Sequence, residues 1–67
     1  MAILDVFRRD MYIRAKRDGT VSSVQTGIVT TDERSGGGVH TVKYDGLRAT
    51  LVQPGQQVSK GQPLGKR

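Results

Sequence analysis

Few residues in this chain have the chemistry that catalysis needs. His40 is the only histidine among 67 residues, and cysteine is absent. A zinc centre draws its ligands from several Cys, His and carboxylate side chains, so a single histidine does not supply the set. His40 is also the only candidate base for a nucleophilic serine, and a surface histidine in a strand is the ordinary interpretation. The candidate nucleophiles are Ser22, Ser23, Ser35 and Ser59.

The acidic residues fall mostly in stretches that are typical of turns or loops. They are Asp5, Asp10, Asp18, Asp32, Glu33 and Asp45. Aspartate in a turn bonds to the backbone beside it, which is a structural role. The pattern Gly61–Gly65 followed by Lys66 lacks the spacing of a P-loop and the Ser or Thr after its lysine. We therefore predict a protein that is not an enzyme and has no catalytic residue, metal or cofactor.

The charge of the chain favours an anionic partner. The net charge is +5 and the isoelectric point is near 10.3, values that suit nucleic acid or a membrane surface. The candidate nucleic-acid contacts cluster in the first quarter of the chain and are Arg8, Arg9, Arg14, Lys16 and Arg17. The ordinary interpretation of this cluster is a solvated surface with a basic end, and contact with nucleic acid is the alternative. Base stacking has little support, since only Tyr12 and Tyr44 fall in predicted strands.

Two turn signals mark the last part of the chain, in Leu51-Val-Gln-Pro-Gly-Gln-Gln-Val-Ser-Lys-Gly-Gln-Pro-Leu-Gly65. Proline presets the backbone of the first central turn position and glycine accepts the positive φ that often follows, so Pro54-Gly55 predicts a tight turn. Lys60-Gly61 predicts a second turn, with a short strand around Val58 between them. The C-terminal part is therefore predicted to be β-structure.

This stretch resembles the closing hairpin of barrel-sandwich hybrid folds, namely the lipoyl and biotinyl carrier domains and the M23 (lysostaphin-type) peptidases. Such folds are often built from two similar halves. A matching internal repeat is present here, because Lys16–Gly19 followed by Val24–Gly27 recurs as Lys43–Gly46 followed by Val52–Gly55. The resemblance implies a β module of two quasi-repeated halves.

The functional residues of both families are missing from the chain. The M23 zinc site uses several histidines, and the segment that corresponds to the family's usual histidine-bearing strand, Leu47–Leu51, has none. A carrier domain presents a modified lysine at a hairpin tip. Lys43 lies only three residues before Gly46, outside the usual sequence context, so we do not expect it to be modified. The resemblance therefore implies the fold without catalysis or carrier function.

Length limits the stability of a monomer. A chain of this size is one domain at most, and a core drawn from so few residues supplies only about 3–5 kcal/mol. Neither disulfides nor a zinc site can add to it, so oligomerisation or docking on a larger protein is what remains. No targeting segment is expected, and no apolar run is long enough to span a membrane.

The first eleven residues differ from the rest. Ile3, Leu4, Phe7 and Met11 recur at the spacing of one helix face, which predicts a short amphipathic helix over residues 1–11. A helix this short needs to pack on its own β domain or on a neighbouring subunit. Its apolar face is too short to favour a membrane interface, so no membrane partner is expected. From residue 12 to 67 short alternating segments are separated by turn signals, including Asp18-Gly19 and Asp45-Gly46. The segment Asp32–Gly38 interrupts this pattern with charges and glycines and predicts a mobile loop. We predict an all-β small barrel or sandwich of six to seven short strands.

The function predicted first is structural assembly. A small phage virion protein, capsid- or tail-associated and of decoration or connector type, accounts for the thin core and for the N-terminal segment. Ile3, Leu4, Phe7 and Met11 would bind the neighbouring protein, the chain would form a homo-oligomer, and its location would be the virion or the cytoplasm. Two alternatives stay open, a basic nucleic-acid-binding β-barrel and an inhibitor or adaptor of a host protein.

Overall fold

A computed structural model describes residues 11–67 of the chain. Over this range the protein consists of seven β-strands, and no helix occurs between Met11 and Arg67. The strands are β1 (Tyr12–Arg14), β2 (Gly19–Gln25), β3 (Ile28–Ser35), β4 (Gly38–Tyr44), β5 (Ala49–Thr50), β6 (Gln57–Val58) and β7 (Pro63–Lys66). The all-β prediction is confirmed for these residues. The N-terminal helix predicted over residues 1–11 is not supported: residues 1–10 lie outside the described range, and Met11 lies in a turn.

The strands form two sheets. One has the order β1-β7-β5 and the other the order β4-β3-β2-β6, and every pairing in both is antiparallel. The sheets do not close on each other, so the closed-barrel alternative is wrong for the described residues. One core joins them, since its buried side chains come from both sheets and their connections. These are Ala15, Val21, Val29, Tyr44, Leu47, Val52, Val58 and Leu64.

The larger sheet is built on a meander of β2, β3 and β4. Strand β3 continues through Ser35, and Gly36-Gly37 alone separates it from β4. The mobile loop predicted over Asp32–Gly38 is therefore wrong. The physical reason is pairing on both sides of β3, because β2 and β4 satisfy its backbone groups despite the charged residues. Gly36 has φ of 56°, a value that glycine adopts without strain at a tight turn.

Strands β1 and β2 belong to different sheets, so Asp18-Gly19 does not form the tight hairpin that its sequence predicts. The chain bends through Lys16–Asp18, and Gly19 begins β2. A Cβ on Gly19 would collide with the carbonyl oxygen of Asp32 and lie 2.9 Å from the Cα of Glu33. Glycine is needed here for close approach of two strands rather than for a turn.

The C-terminal turns are both confirmed, but they do not enclose a hairpin. Gln56 N donates to Gln53 O at 3.1 Å across Pro54-Gly55, and Gln62 N donates to Ser59 O at 2.9 Å across the second turn. In each turn the glutamine Oε1 also accepts from the first residue's backbone N–H. Strand β6 then pairs with β2, whereas β7 lies between β1 and β5. The segment that resembles a closing hairpin therefore crosses from the larger sheet at β6 to the smaller sheet at β7.

A six-residue period underlies this crossing. Val52, Val58 and Leu64 follow one another at intervals of six residues, and all three are buried in the core. The two similar turns lie between them, so each interval consists of one buried aliphatic side chain and one turn that reverses the chain. A period of six residues matches neither the two-residue period of a strand nor the 3.6-residue period of a helix. A search for those two hydrophobic periods therefore does not detect it.

Candidate functional site

Beside strands β2, β3 and β6 of the larger sheet, the fold forms a groove of about 760 Å³. Three parts of the chain contribute to it: the bend together with the first two residues of β2, the end of β3, and the segment from β6 into the following turn. We call it the basic groove, because Arg17, Arg34 and Lys60 all line it. The remaining lining residues are Asp18, Gly19, Thr20, Gln57, Val58 and Ser59.

Asp18 holds the three elements of the basic groove together. Its carbonyl oxygen accepts from the backbone N–H of Arg34 at 3.1 Å. Its carboxylate Oδ1 accepts from the backbone N–H of Lys60 at 2.7 Å. One aspartate in the bend thus fixes both the end of β3 and the second C-terminal turn, and two of the cations belong to the residues that it binds.

The electrostatics of the basic groove favour anions. Three cationic side chains outnumber the single carboxylate of Asp18, and all three are exposed. Arginine presents a planar fork of N–H donors and lysine a mobile ammonium group, the two donor types that bind phosphate oxygens most often. Long, solvated side chains of this kind attract anions in a salt-dependent way. The groove is therefore suited to an anionic ligand.

The structure separates the basic residues that are neighbours in the sequence. Arg8 and Arg9 lie outside the described residues. The Nη1 of Arg14 donates to Gly61 O at 2.9 Å, and its guanidinium lies 5.7 Å from the centre of the Tyr12 ring. Lys16 is exposed, and among the described residues of this cluster only Arg17 lines the basic groove.

Sequence reasoning missed Arg34 and Lys60 as site residues. Lys60 lies 42 positions from Asp18 along the chain, and only the crossing between the sheets brings the two together. Arg34 falls in a predicted loop, whereas it lies near the end of a paired strand beside Asp18. The turn signal at Lys60-Gly61 locates one of these cations on a turn, but nothing in the sequence indicates which part of the chain it faces.

A second cluster lies inside the protein around Glu33. Its side chain is 1% exposed, although the sequence predicts a loop there. Its Oε2 accepts hydrogen bonds from Thr31 Oγ1 at 2.6 Å and from the hydroxyl of Tyr44. The other oxygen, Oε1, has no hydrogen-bond partner among the described atoms. The Tyr44 hydroxyl in turn accepts from the backbone N–H of Lys16 at 3.1 Å.

Burial of Tyr44, followed by its hydrogen bond to Glu33, raises the pKa of the phenol above its ordinary value of 10.0. The hydroxyl is thus protonated at neutral pH and donates to the carboxylate. A ligand reaches this pair only if the fold opens, since both side chains are buried. The cluster therefore locks the bend at Lys16 onto β3 and β4, and its role is structural.

The other residues considered for catalysis are spread over the surface. His40 is exposed on β4, in register with Glu33 on β3. Ser22 Oγ donates to Thr30 O at 3.2 Å, a local bond within one strand pair. Lys43 lies within β4 rather than at a hairpin tip. Between Met11 and Arg67, no three His, Asp or Glu side chains come close enough to hold a metal ion.

Strand β4 forms one edge of the larger sheet. It pairs with β3 on one side, and no other strand of the described range lies on its second side. Five of its seven residues are exposed. Val39 is 63% exposed, the highest value among the large apolar residues described, followed by Met11 and Leu51 at 48% each. We call Gly38–Tyr44 the β4 edge.

The predicted partner-binding residues lie largely outside the described range. Ile3, Leu4 and Phe7 fall within residues 1–10, so their anchoring role stays a prediction. Met11 is described and exposed, which leaves its side chain accessible to a partner. No helix within residues 11–67 is long and apolar enough to cross a membrane.

Comparison with known proteins adds no relative. No protein-family model, no curated protein and no solved structure matches the chain. Function must therefore be inferred from the β4 edge, the basic groove and the chemistry of their residues.

Proposed function

We propose that this protein is a non-enzymatic structural module whose copies assemble through the β4 edge, as a small capsid- or tail-associated component of a phage virion. The observation that supports assembly most strongly is the free side of β4. Alternate residues of this seven-residue strand present backbone N–H and C=O groups there without a strand neighbour from the described residues. An exposed edge of this length is a template for a further strand.

The residues of β4 do little to discourage such pairing. Natural edge strands are usually protected by proline, bulges or several charged side chains. Gly38–Tyr44 contains no proline and a single formally charged residue, Lys43, and its pairing with β3 is regular. Val39, Thr41 and Val42 are β-branched, the side-chain type that packs best on a pleated surface.

The partner that we propose for the β4 edge is a second copy of the chain. Thr41 is the middle residue of β4, so antiparallel pairing about a two-fold axis would place two Thr41 residues opposite each other. Each Lys43 would then face Val39 of the other copy, and the two ammonium groups would lie at opposite ends of the ladder. Threonine pairs are favourable across strands, and no like charges would be opposed.

A small core supports the same proposal. Eight apolar or aromatic side chains form the buried cluster in the described part of the protein, and Tyr44 is the only aromatic one. A domain below about 70 residues rarely gains more than 3–5 kcal/mol from its own core. Extending a four-stranded sheet into the next copy would add paired backbone and bury Val39, which offsets this deficit.

The barrel-sandwich-like architecture of two quasi-repeated halves is part of the proposal. Gly27 and Gly55, which end the two halves of the repeat, both adopt positive φ, at 76° and 87°. Gly46 also has positive φ, whereas its counterpart Gly19 starts a strand. The glycines that end the two halves, Gly27 and Gly55, thus have similar backbone conformations, whereas the glycines of the first motif in each half, Gly19 and Gly46, do not. The place in a phage virion rests on analogy with small β proteins of phage particles.

The β4 edge is tested by charge substitution. Thr41→Lys and Val39→Lys should each lower the association constant, because the first would oppose two ammonium groups and the second would oppose one to Lys43. Sedimentation equilibrium measures that constant. The matched control is Gln25→Lys, which adds the same charge at an exposed position of β2, outside the β4 edge. Equal association of all three variants and the parent would contradict the proposal.

A further inference from the structure

We propose that the basic groove binds the phosphate backbone of nucleic acid, independently of base sequence and of the assembly role. Arg17, Arg34 and Lys60 would contact phosphate oxygens, with Thr20, Gln57 and Ser59 as neutral polar residues beside them. Most protein contacts to nucleic acid are of this kind, from Arg, Lys and small polar side chains to the backbone. The site differs from the basic cluster of the first quarter, whose described members Arg14, Lys16 and Arg17 contribute only Arg17 to the groove.

The exposure of the cations favours a chain of phosphates over a single compact anion. Arg17, Arg34 and Lys60 are all exposed and come from three separate elements around a groove of about 760 Å³. A compact phosphate is usually held by preorganised donors that exclude water. Mobile side chains along an open groove instead suit successive phosphates, whose neutralisation releases counterions.

The composition of the groove also indicates which part of the nucleic acid is recognised. None of the described residues that line it is aromatic. Single-strand binders gain much of their affinity by stacking bases on aromatic rings, and that contribution is missing here. We therefore expect a duplex to bind at least as well as a single strand, and we expect little difference between sequences of equal length.

Substitution of Asp18 gives a test in which the proposal predicts a higher affinity for DNA rather than a lower one. Among the described residues that line the groove, its carboxylate is the only negative charge, and it accepts a hydrogen bond from the backbone N–H of Lys60. Asp18→Asn keeps an acceptor at Oδ1 and removes the charge that repels phosphate. Affinity for DNA should rise, while a purely structural role for Asp18 predicts no gain.

The experiment measures fluorescence anisotropy of a labelled DNA duplex, and of one strand of it, titrated with the full chain between about 50 and 200 mM salt. The Arg34→Gln/Lys60→Gln variant should bind about tenfold more weakly per lost contact at the lowest salt. The slope of log K against log salt should fall by about one for each contact removed. The matched control, Arg48→Gln/Arg67→Gln, removes the same charge from exposed positions outside the groove.

The outcomes distinguish the site from general basicity. Selective weakening by the groove variant, with a gain for Asp18→Asn, supports the proposal. Equal weakening by the groove and control variants would overturn it, because net charge alone would then explain binding. Binding to vesicles containing anionic lipid without binding to either DNA probe would also overturn it and would assign the groove to a membrane surface. Far-UV circular dichroism of each variant verifies that the sheets are retained.

Discussion

The hydroxyl of Tyr44 donates a hydrogen bond to the carboxylate of Glu33, eleven residues away on the neighbouring strand, and both side chains are buried. The same hydroxyl accepts the backbone N–H of Lys16 at 3.1 Å. The pair therefore connects β3 and β4 to the bend that carries Arg17 and Asp18 into the basic groove. Stability and groove geometry depend on the same polar cluster.

Tyr44→Phe should lower the free energy of unfolding by about 1–3 kcal/mol, the usual cost of leaving a buried polar group without its partner. The buried carboxylate of Glu33 would retain only Thr31 as a donor. Urea denaturation followed by circular dichroism measures the change. Tyr12→Phe is the control, because the Tyr12 ring is half-buried beside Arg14 and Lys66, outside the Glu33 cluster. Similar losses for both variants would show that the hydrogen bond contributes nothing specific.

Stability should fall as the pH rises above the ordinary tyrosine value of 10.0. The folded-state pKa of Tyr44 is raised, so the folded protein keeps this proton where the unfolded chain loses it. The contribution of the protonated Tyr44 hydroxyl to the free energy of unfolding is complete below about pH 10. It is lost as the pH rises through the folded-state pKa. Chemical denaturation at a series of alkaline pH values measures the slope. Tyr44→Phe should have a shallower slope than the parent, and parallel slopes would refute the assignment.

Gly19→Ala should destabilise the fold by about 1–3 kcal/mol, the range for forcing an extra methyl group into a packed site. The added Cβ would meet backbone atoms of Asp32 and Glu33, which have little room to shift. Thermal unfolding provides the measurement. The control is Gly37→Ala in the β3–β4 turn, where an added Cβ would meet no neighbouring atom within 4 Å and φ is not positive. A neutral effect at Gly19 would contradict the close approach of β2 and β3.

Removal of residues 1–10 should leave the β-structure in place and weaken association. The buried core residues of the described range all lie between Ala15 and Leu64, so the truncation deletes none of them. The loss of Ile3, Leu4 and Phe7 removes the predicted anchor to a neighbouring protein. Circular dichroism and sedimentation of the shortened chain provide the measurements, and self-association equal to that of the parent would exclude an anchoring role between copies of the chain.

The turns and the strand-rich character of this protein follow from its sequence because they depend on local chemistry. Pro54-Gly55 and Lys60-Gly61 form turns since their backbone preferences leave few alternatives. The extent of β3 is not predictable in this way. Asp32, Glu33 and Arg34 are typical of loops, and Glu33 is tolerated in a buried strand because Thr31 and Tyr44 donate to it. That arrangement depends on a partner eleven positions away.

The candidate site depends even more on distant contacts. The sequence predicts Arg17 as a contact residue, whereas Arg34 and Lys60 are scattered cations with no local signal. Their convergence requires the crossing of the C-terminal segment between sheets and the two hydrogen bonds to Asp18. Sequence spacing carries no information about such contacts. The six-residue period of Val52, Val58 and Leu64 is visible in principle and is the pattern that would have indicated the crossing.

The central claim is self-association through the β4 edge, and the absolute mass in solution tests it most directly. Light scattering behind size exclusion, at moderate salt and with the 260/280 nm absorbance ratio recorded, gives the mass without assuming a shape. We expect a nucleic-acid-free species at a multiple of the 7.3 kDa chain mass, reduced towards the monomer by Thr41→Lys. A folded monomer of 7.3 kDa at every concentration tested would contradict the claim.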